Sequence, residues 1–317
     1  MTSATGQGAP DRVAAIQYAL LTWYAASGRD LPWRHTHDPY RILVAEVMLQ
    51  QTQVDRVLPK YHAFLLAFPT VEALAAAARG DVLRAWAGLG YNLRAVRLHQ
   101  AAHDVVQQHG GRFPDTVAGL IALRGVGPYT AGAIACFAYR QRVAFLDTNV
   151  RRVIGWAVVG LAAPTPADDR LVLAAAQAAL PDDAYTWHQA LMDLGATVCL
   201  SRKPRCTVCP LLPHCAAQAE LSQPLRMVAE ERAPYRTQPK FAGSRRYYRG
   251  RIVAALRELP PGGTLTLGEL RARLGEGGAA VEEELVVDLV RALAADGLVV
   301  AAGSEGAEAG GWRVGLA

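Results

Sequence analysis

The stretch Leu123-Arg-Gly-Val-Gly-Pro-Tyr-Thr-Ala-Gly132 decides the fold. Apolar patterns of helical spacing lie on both sides, so it reads as a glycine hairpin joining two helices. Gly125 and Gly127 allow a positive φ and a close backbone approach. The amides opening the second helix would then face outward, an arrangement suited to a phosphate. Alone, a Gly-Val-Gly turn could be any helix–helix connection. The sequel makes it specific, because Asp147 follows twenty residues after Gly127, within Phe145-Leu-Asp-Thr-Asn-Val-Arg-Arg152.

Outward from the hairpin, residues 1–222 read as consecutive helices. Breaks fall at Pro39, Pro69, Gly80, Gly110–Gly111 and Pro181–Asp182, and strand signals are nearly absent, so a mainly α domain is expected. Residues 223–244 are polar and contain Pro224, Pro234 and Pro239, as a linker would. Residues 245–317 form a smaller α+β unit. A first helix begins at Arg245, Arg246, Arg249 and Arg251. Thr266-Leu-Gly-Glu269 is a capping-box pattern that opens a second helix. A third helix runs from about Ala280 to Asp296 and stops at Gly297. Strands are expected at Leu298–Ala301 and Trp312–Leu316. Three helices and a hairpin suggest a winged-helix-like domain.

The 317 residues are 51% hydrophobic, enough for more than one core, and carry a net charge of +5 that mildly favours a polyanionic partner. Met1–Pro10 has no signal-peptide character, and no apolar run is long enough to span a membrane. A soluble, intracellular protein with no membrane partner is expected.

Four of the five cysteines crowd together as Cys199-x6-Cys206-x2-Cys209-x5-Cys215. In a reducing compartment this reads as metal binding rather than as disulfides. Four thiolates suit tetrahedral zinc, but a single close pair with the outer two set at six and five residues favours a bulkier iron–sulfur cluster. Arg202, Lys203 and Arg205 lie in the same loop and could face phosphates. Cys136 sits in an apolar helix and reads as a core residue.

The cysteine spacing, the hairpin and Asp147 together resemble the helix-hairpin-helix DNA glycosylases of the endonuclease III superfamily, with their [4Fe-4S] loop, here 199–215. Leu31-Pro-Trp-Arg34 and Asp38-Pro-Tyr-Arg-Ile-Leu-Val-Ala-Glu-Val-Met-Leu-Gln-Gln-Thr-Gln-Val54 resemble more closely the MutY-type adenine glycosylases within it. The resemblance covers roughly residues 12–222. It implies double-stranded DNA with a mispaired base as partner, and release of adenine opposite 8-oxoguanine or guanine. Asp147 would stabilise the positive charge that develops on deoxyribose as the glycosidic bond breaks. Glu46 would protonate adenine, a poor leaving group until a ring nitrogen is protonated, and its apolar helix should favour the protonated carboxyl. Members that also cut the backbone carry a lysine where this chain has Tyr129. A phenol forms no Schiff base, so a monofunctional enzyme is expected, with Tyr129 holding Asp147. Asn149 would assist near the sugar, Trp33 and Arg34 would line the adenine pocket, and Gln50, Gln51 and Tyr91 would enter or wedge the duplex.

Two departures stand out. The family usually has a second tyrosine at Asn92 and a glycine at Thr148. It also usually ends in a Nudix-like β-rich domain that recognises 8-oxoguanine, for which residues 245–317 are too few and too helical. The third helix of the winged-helix-like unit is acidic at its start, which argues against base reading. The basic first helix could clamp the DNA backbone, or the unit could serve packing or a protein partner. Two other functions remain open: the same scaffold acting on thymine or uracil opposite guanine, and a non-catalytic DNA-binding or redox-sensing protein.

Overall fold

A computed structural model of the chain describes residues 9–221, 241–275, 281–302 and 311–317. Most of the expected linker, the start of the expected third helix at Ala280 and the Gly-rich turn between the last strands lie outside these residues. Among the described residues the chain is mainly helical with one small sheet, as expected. It divides into two compact units.

The first unit comprises Met1–Ile42, Asp115–Leu120 and Gly127–Tyr235. Its core is built around the hairpin's second helix, Pro128–Tyr139, which buries Ala131, Ile134, Ala135 and Cys136. Helix Ala184–Thr197 adds Trp187, Leu191 and Leu194, and helix Ala9–Ser27 adds Ile16 and Leu20. Gly132 is a close-packing glycine, since a Cβ there would stand 2.6 Å from that of Phe145. Cys136 is buried, and desolvation pushes its thiol up to about 12, as befits a core residue.

The second unit comprises Leu43–Pro114, Ile121–Val126 and Arg236–Ala317. Helices Val54–Ala67, Arg79–Ala85 and Leu93–His109 bury Phe64, Leu83, Trp86, Leu98 and Ala102. The C-terminal segment has helices Arg245–Arg257, Leu267–Gly275 and Glu283–Ala295, with β1 (Thr264–Thr266), β2 (Val299–Ala302) and β3 (Arg313–Leu316). The sheet is antiparallel in the order β1-β3-β2, with Leu265 opposite Val314 and Ala301 opposite Val314 on its other side. The capping box is present, because the Thr266 amide donates to Glu269 at 2.7 Å and the Glu269 amide to Thr266 Oγ1 at 3.2 Å. Gly297 takes φ +68° just past the third helix, as a C′ glycine does. The short β1 was not expected.

The hairpin glycines differ from one another. Gly125 has φ +81°, and a Cβ there would come within 2.5 Å of the Cβ of Arg97, so only glycine fits. Gly127 has φ −91°, in extended backbone, and a Cβ would meet nothing. Positive φ is therefore not required at Gly127, which instead N-caps the following helix ahead of Pro128. Arg124, next to Gly125, donates its amide to Asp104 at 2.8 Å and its guanidinium to the same buried carboxylate. Burial pushes the Asp104 carboxyl up, but these bonds outweigh it and hold it below the usual range.

Two buried imidazoles make stability depend on acid. His188 stacks on Phe145 and His99 lies against His103, and desolvation holds both near pKa 4 against 6.5 in the free side chain. Between these values the unfolded chain binds protons that the folded chain does not. Stability is thus full above about pH 6.5 and falls as pH drops toward 4, by up to about 3 kcal/mol for each histidine. Thermal melts from pH 7.5 to 4.5 should show this loss, and His99→Leu should roughly halve it, leaving the share of His188. An identical slope in that variant would contradict the assignment.

Candidate functional site

In the first unit, Asp147 N-caps helix Thr148–Ile154 and accepts the Val150 amide at 2.6 Å. Its second oxygen accepts from Asn149 Nδ2 at 3.0 Å. Burial raises its carboxyl above the usual range, while the Val150 and Asn149 donors and the Arg152 charge pull it back. Arg152 stands behind this pair. It donates to Asn149 Oδ1 at 2.9 Å, to the Gly195 carbonyl at 2.6 Å and to the Cys199 carbonyl at 2.7 Å. One guanidinium therefore ties the residue next to Asp147 to the first cysteine of the loop. Asn149 and Arg152 also line an open pocket with Gly195, Ser201, Arg202 and Lys203. Such an arrangement presents a half-buried carboxylate beside a basic surface. Tyr129 is half-buried and packs edge-on against Phe145.

Cys199, Cys206, Cys209 and Cys215 line one common cavity with Val198, Pro204 and Leu212. All four are half-buried free thiols. Desolvation raises them all, Cys199 to about 12, and each of the other three adds to the rise at Cys199. The loop is anchored to its own unit, because the Ala216 and Ala217 amides donate to the Ala157 and Trp156 carbonyls. Among the described residues no group of three or more His, Cys, Asp or Glu side chains is arranged to hold a single metal ion.

In the second unit, Glu46 lies in helix Pro39–Leu49, is only 5% exposed, and is bracketed by buried Val44, Ala45, Val47 and Met48. The helix ends at a turn where Gln51 is exposed with φ +56°. Tyr91 is 60% exposed with φ +46° and follows Gly88 and Gly90, both also at positive φ. Left-handed backbone at a non-glycine residue is costly and persists only where the surroundings enforce it. Arg94 does so for both segments. Its buried guanidinium donates to the Val47, Met48 and Gln50 carbonyls at 2.9, 2.9 and 2.6 Å. It also donates to Thr52 Oγ1 and to the Leu89 and Gly90 carbonyls. Two exposed, backbone-strained side chains are thus presented from one rigid mount.

The HhH-GPD superfamily of base excision DNA repair proteins matches residues 44–170. The adenine DNA glycosylase of Mycobacterium tuberculosis is 46% identical over 245 residues, which is 75% of this chain and 77% of that protein. The chain belongs to the adenine DNA glycosylases. It is therefore an enzyme of base-excision repair, as the sequence motifs implied. Human adenine DNA glycosylase is 40% identical over 222 residues, covering 67% of this chain and 41% of its own. A solved thermostable thymine-DNA glycosylase aligns with a TM-score of 0.63 and 28% identity, over 67% of this chain and 99% of that one.

Within this adenine DNA glycosylase, Trp33 is buried in the short turn Pro32–Arg34. Arg34 is buried with it, and both of its terminal nitrogens donate to Asp193, at 2.9 and 2.7 Å. Arg29 donates to the same carboxylate. Burial works against the Asp193 charge, yet the two arginines hold its carboxyl below the usual range. The Arg34 guanidinium is thus taken up by a buried ion pair. Sequence reasoning missed the bridging roles of Arg152 and Arg94. Arg152 stood in the quoted Asp147 segment, whereas Arg94 had only its place three residues after Tyr91 as a signal. Among the described residues no helix is long and apolar enough to cross a membrane.

Proposed function

We propose that this enzyme hydrolyses the N-glycosidic bond of adenine mispaired with 8-oxoguanine or guanine in double-stranded DNA, without cutting the backbone. The observation that carries this reading is the setting of Asp147: a half-buried carboxylate held by one amide and one carboxamide, with a guanidinium behind them. Such a group stabilises an oxocarbenium-like sugar without forming a strong ion pair that would quench it. Glu46 gives its proton to the adenine ring, the glycosidic electron pair leaves with the base, and water adds to the sugar carbon, giving up a proton that restores the Glu46 carboxyl. Asn149 holds Asp147. Tyr129 has no amine with which to form an imine.

The four cysteines fit a [4Fe-4S] cluster, since all line one cavity and thiolates are the ligands such clusters take. When bound, the cluster would stiffen the loop that carries Arg202 and Lys203, and those cations would meet phosphates. Gln50, Gln51 and Tyr91 enter the duplex, which makes up part of the unstacking cost of extruding a base. The enzyme works as a monomer in the cytoplasm, at the nucleoid.

A second reading, thymine or uracil opposite guanine, draws support from the similarity to the thymine-DNA glycosylase structure. A panel of duplexes with A, T or U opposite G or 8-oxoguanine separates the two. Release from the A-containing duplexes is expected, with strand breaks only after alkali. Release confined to T or U would overturn the adenine reading, and breaks without alkali would overturn the monofunctional one.

A further inference from the structure

We infer that the C-terminal segment positions the Tyr91 loop through a hydrogen bond from Arg257 to Asn92, and so acts in discriminating the base opposite the target. The inference rests on reading Tyr91 as the duplex wedge. Arg257, the last residue of helix Arg245–Arg257, donates from Nη2 to Asn92 Oδ1 at 2.9 Å. Asn92 directly follows Tyr91 and N-caps helix Leu93–His109, yet its side chain makes no cap bond. The oxygen that would cap the helix is given to Arg257 instead.

The bond is a strong tie. Desolvation lowers Arg257 to about 10, and among the described residues it has no ion-pair partner. A half-buried cation with so few partners is costly to leave unpaired. The rest of the loop is held from the other side. Arg56 donates to the Gly88 carbonyl, Trp86 Nε1 to the Gly90 carbonyl at 3.1 Å, and the Arg94 amide to the Tyr91 carbonyl at 2.9 Å. Of these anchors, Arg257 is the one that comes from the C-terminal segment.

The same domain also covers the helix that leads into the loop. Arg84 donates to the Leu259 carbonyl and Arg79 to the Gly297 carbonyl. A Cβ at Gly80 would meet that of Leu316 at 3.4 Å, so the small residue sits under β3. Asn92, one of the two residues that depart from the family pattern, is therefore held by the segment that departs from it as well. A tyrosine at that position would offer Arg257 no carboxamide oxygen.

The test uses the full-length protein and a duplex carrying a non-hydrolysable 2′-fluoro adenine analogue. Its Kd is measured opposite 8-oxoguanine and opposite cytosine, with Tm recorded for every variant. Arg257→Ala and Asn92→Ala are each expected to shrink the ratio of the two Kd values by about 10-fold, the worth of one charge-assisted bond. The double variant should lose no more than either single one, and Asn92→Asp, which keeps the acceptor, should retain the ratio. Should Arg257→Ala fail to fold, Asn92→Ala decides. Tyr91→Ala separates the two readings. If it lowers the ratio while Asn92→Ala and Arg257→Ala do not, the inference is overturned and the wedge stands; if it leaves the ratio unchanged, the wedge reading falls and takes the inference with it.

Discussion

Glu46→Gln is expected to lower the single-turnover rate of adenine release by about 10²–10⁴-fold, the usual worth of a general acid. The affinity for the uncleaved duplex should change little. The substitution keeps the volume and shape of a side chain that is only 5% exposed, so the helix from Pro39 to Leu49 should pack unchanged. What it removes is a transferable proton. Adenine departs poorly as an anion, so loss of that proton appears in the chemical step rather than in binding. Thymine or uracil leaves with less help, and any release of those bases should fall far less. Equal losses for adenine and thymine would show that Glu46 acts by packing and not as an acid.

The parts of this enzyme legible in its sequence are those whose chemistry is local. The glycine hairpin, the cysteine spacing and the placement of Asp147 beside Asn149 all lie within short segments, and turn and capping rules act over a few residues. The Thr266–Glu269 box and the Gly297 stop were readable for the same reason. What could not be read were the long-range arginines. Arg94 joins residues more than forty positions apart, and Arg257 reaches Asn92 across 165. Charge left Arg249 and Arg251 open to a phosphate clamp, to packing or to a protein partner, and the fold engages both internally. Arg249 pairs with Asp296. Arg251 donates to the Arg273 and Leu274 carbonyls, at the C-terminal end of helix Leu267–Gly275, where such acceptors need donors. Strand β1 escaped notice because three residues show no usable alternation.

Asp147→Asn tests the other half of the chemistry. The rate of base release should fall by about 10²–10³-fold, the usual effect of removing one preorganised electrostatic partner from a developing charge. Asparagine is as good an N-cap as aspartate, and its oxygen can still accept the Val150 amide, so the fold and DNA binding should survive. An unchanged rate would show that Asp147 is not what stabilises the developing sugar cation. The acid side of the pH profile offers a second measurement. Desolvation raises the Asp147 carboxyl, and its ionised form is the useful one, so the rate should decline as pH falls through that raised value. Asn149→Ala removes a donor that favours the charge, so it should move the acid limb to higher pH without abolishing the rate at the plateau. It should also loosen Arg152, which keeps its bonds to the Gly195 and Cys199 carbonyls but loses Asn149. An acid limb that stays in place would mean that Asn149 is not what holds the Asp147 charge.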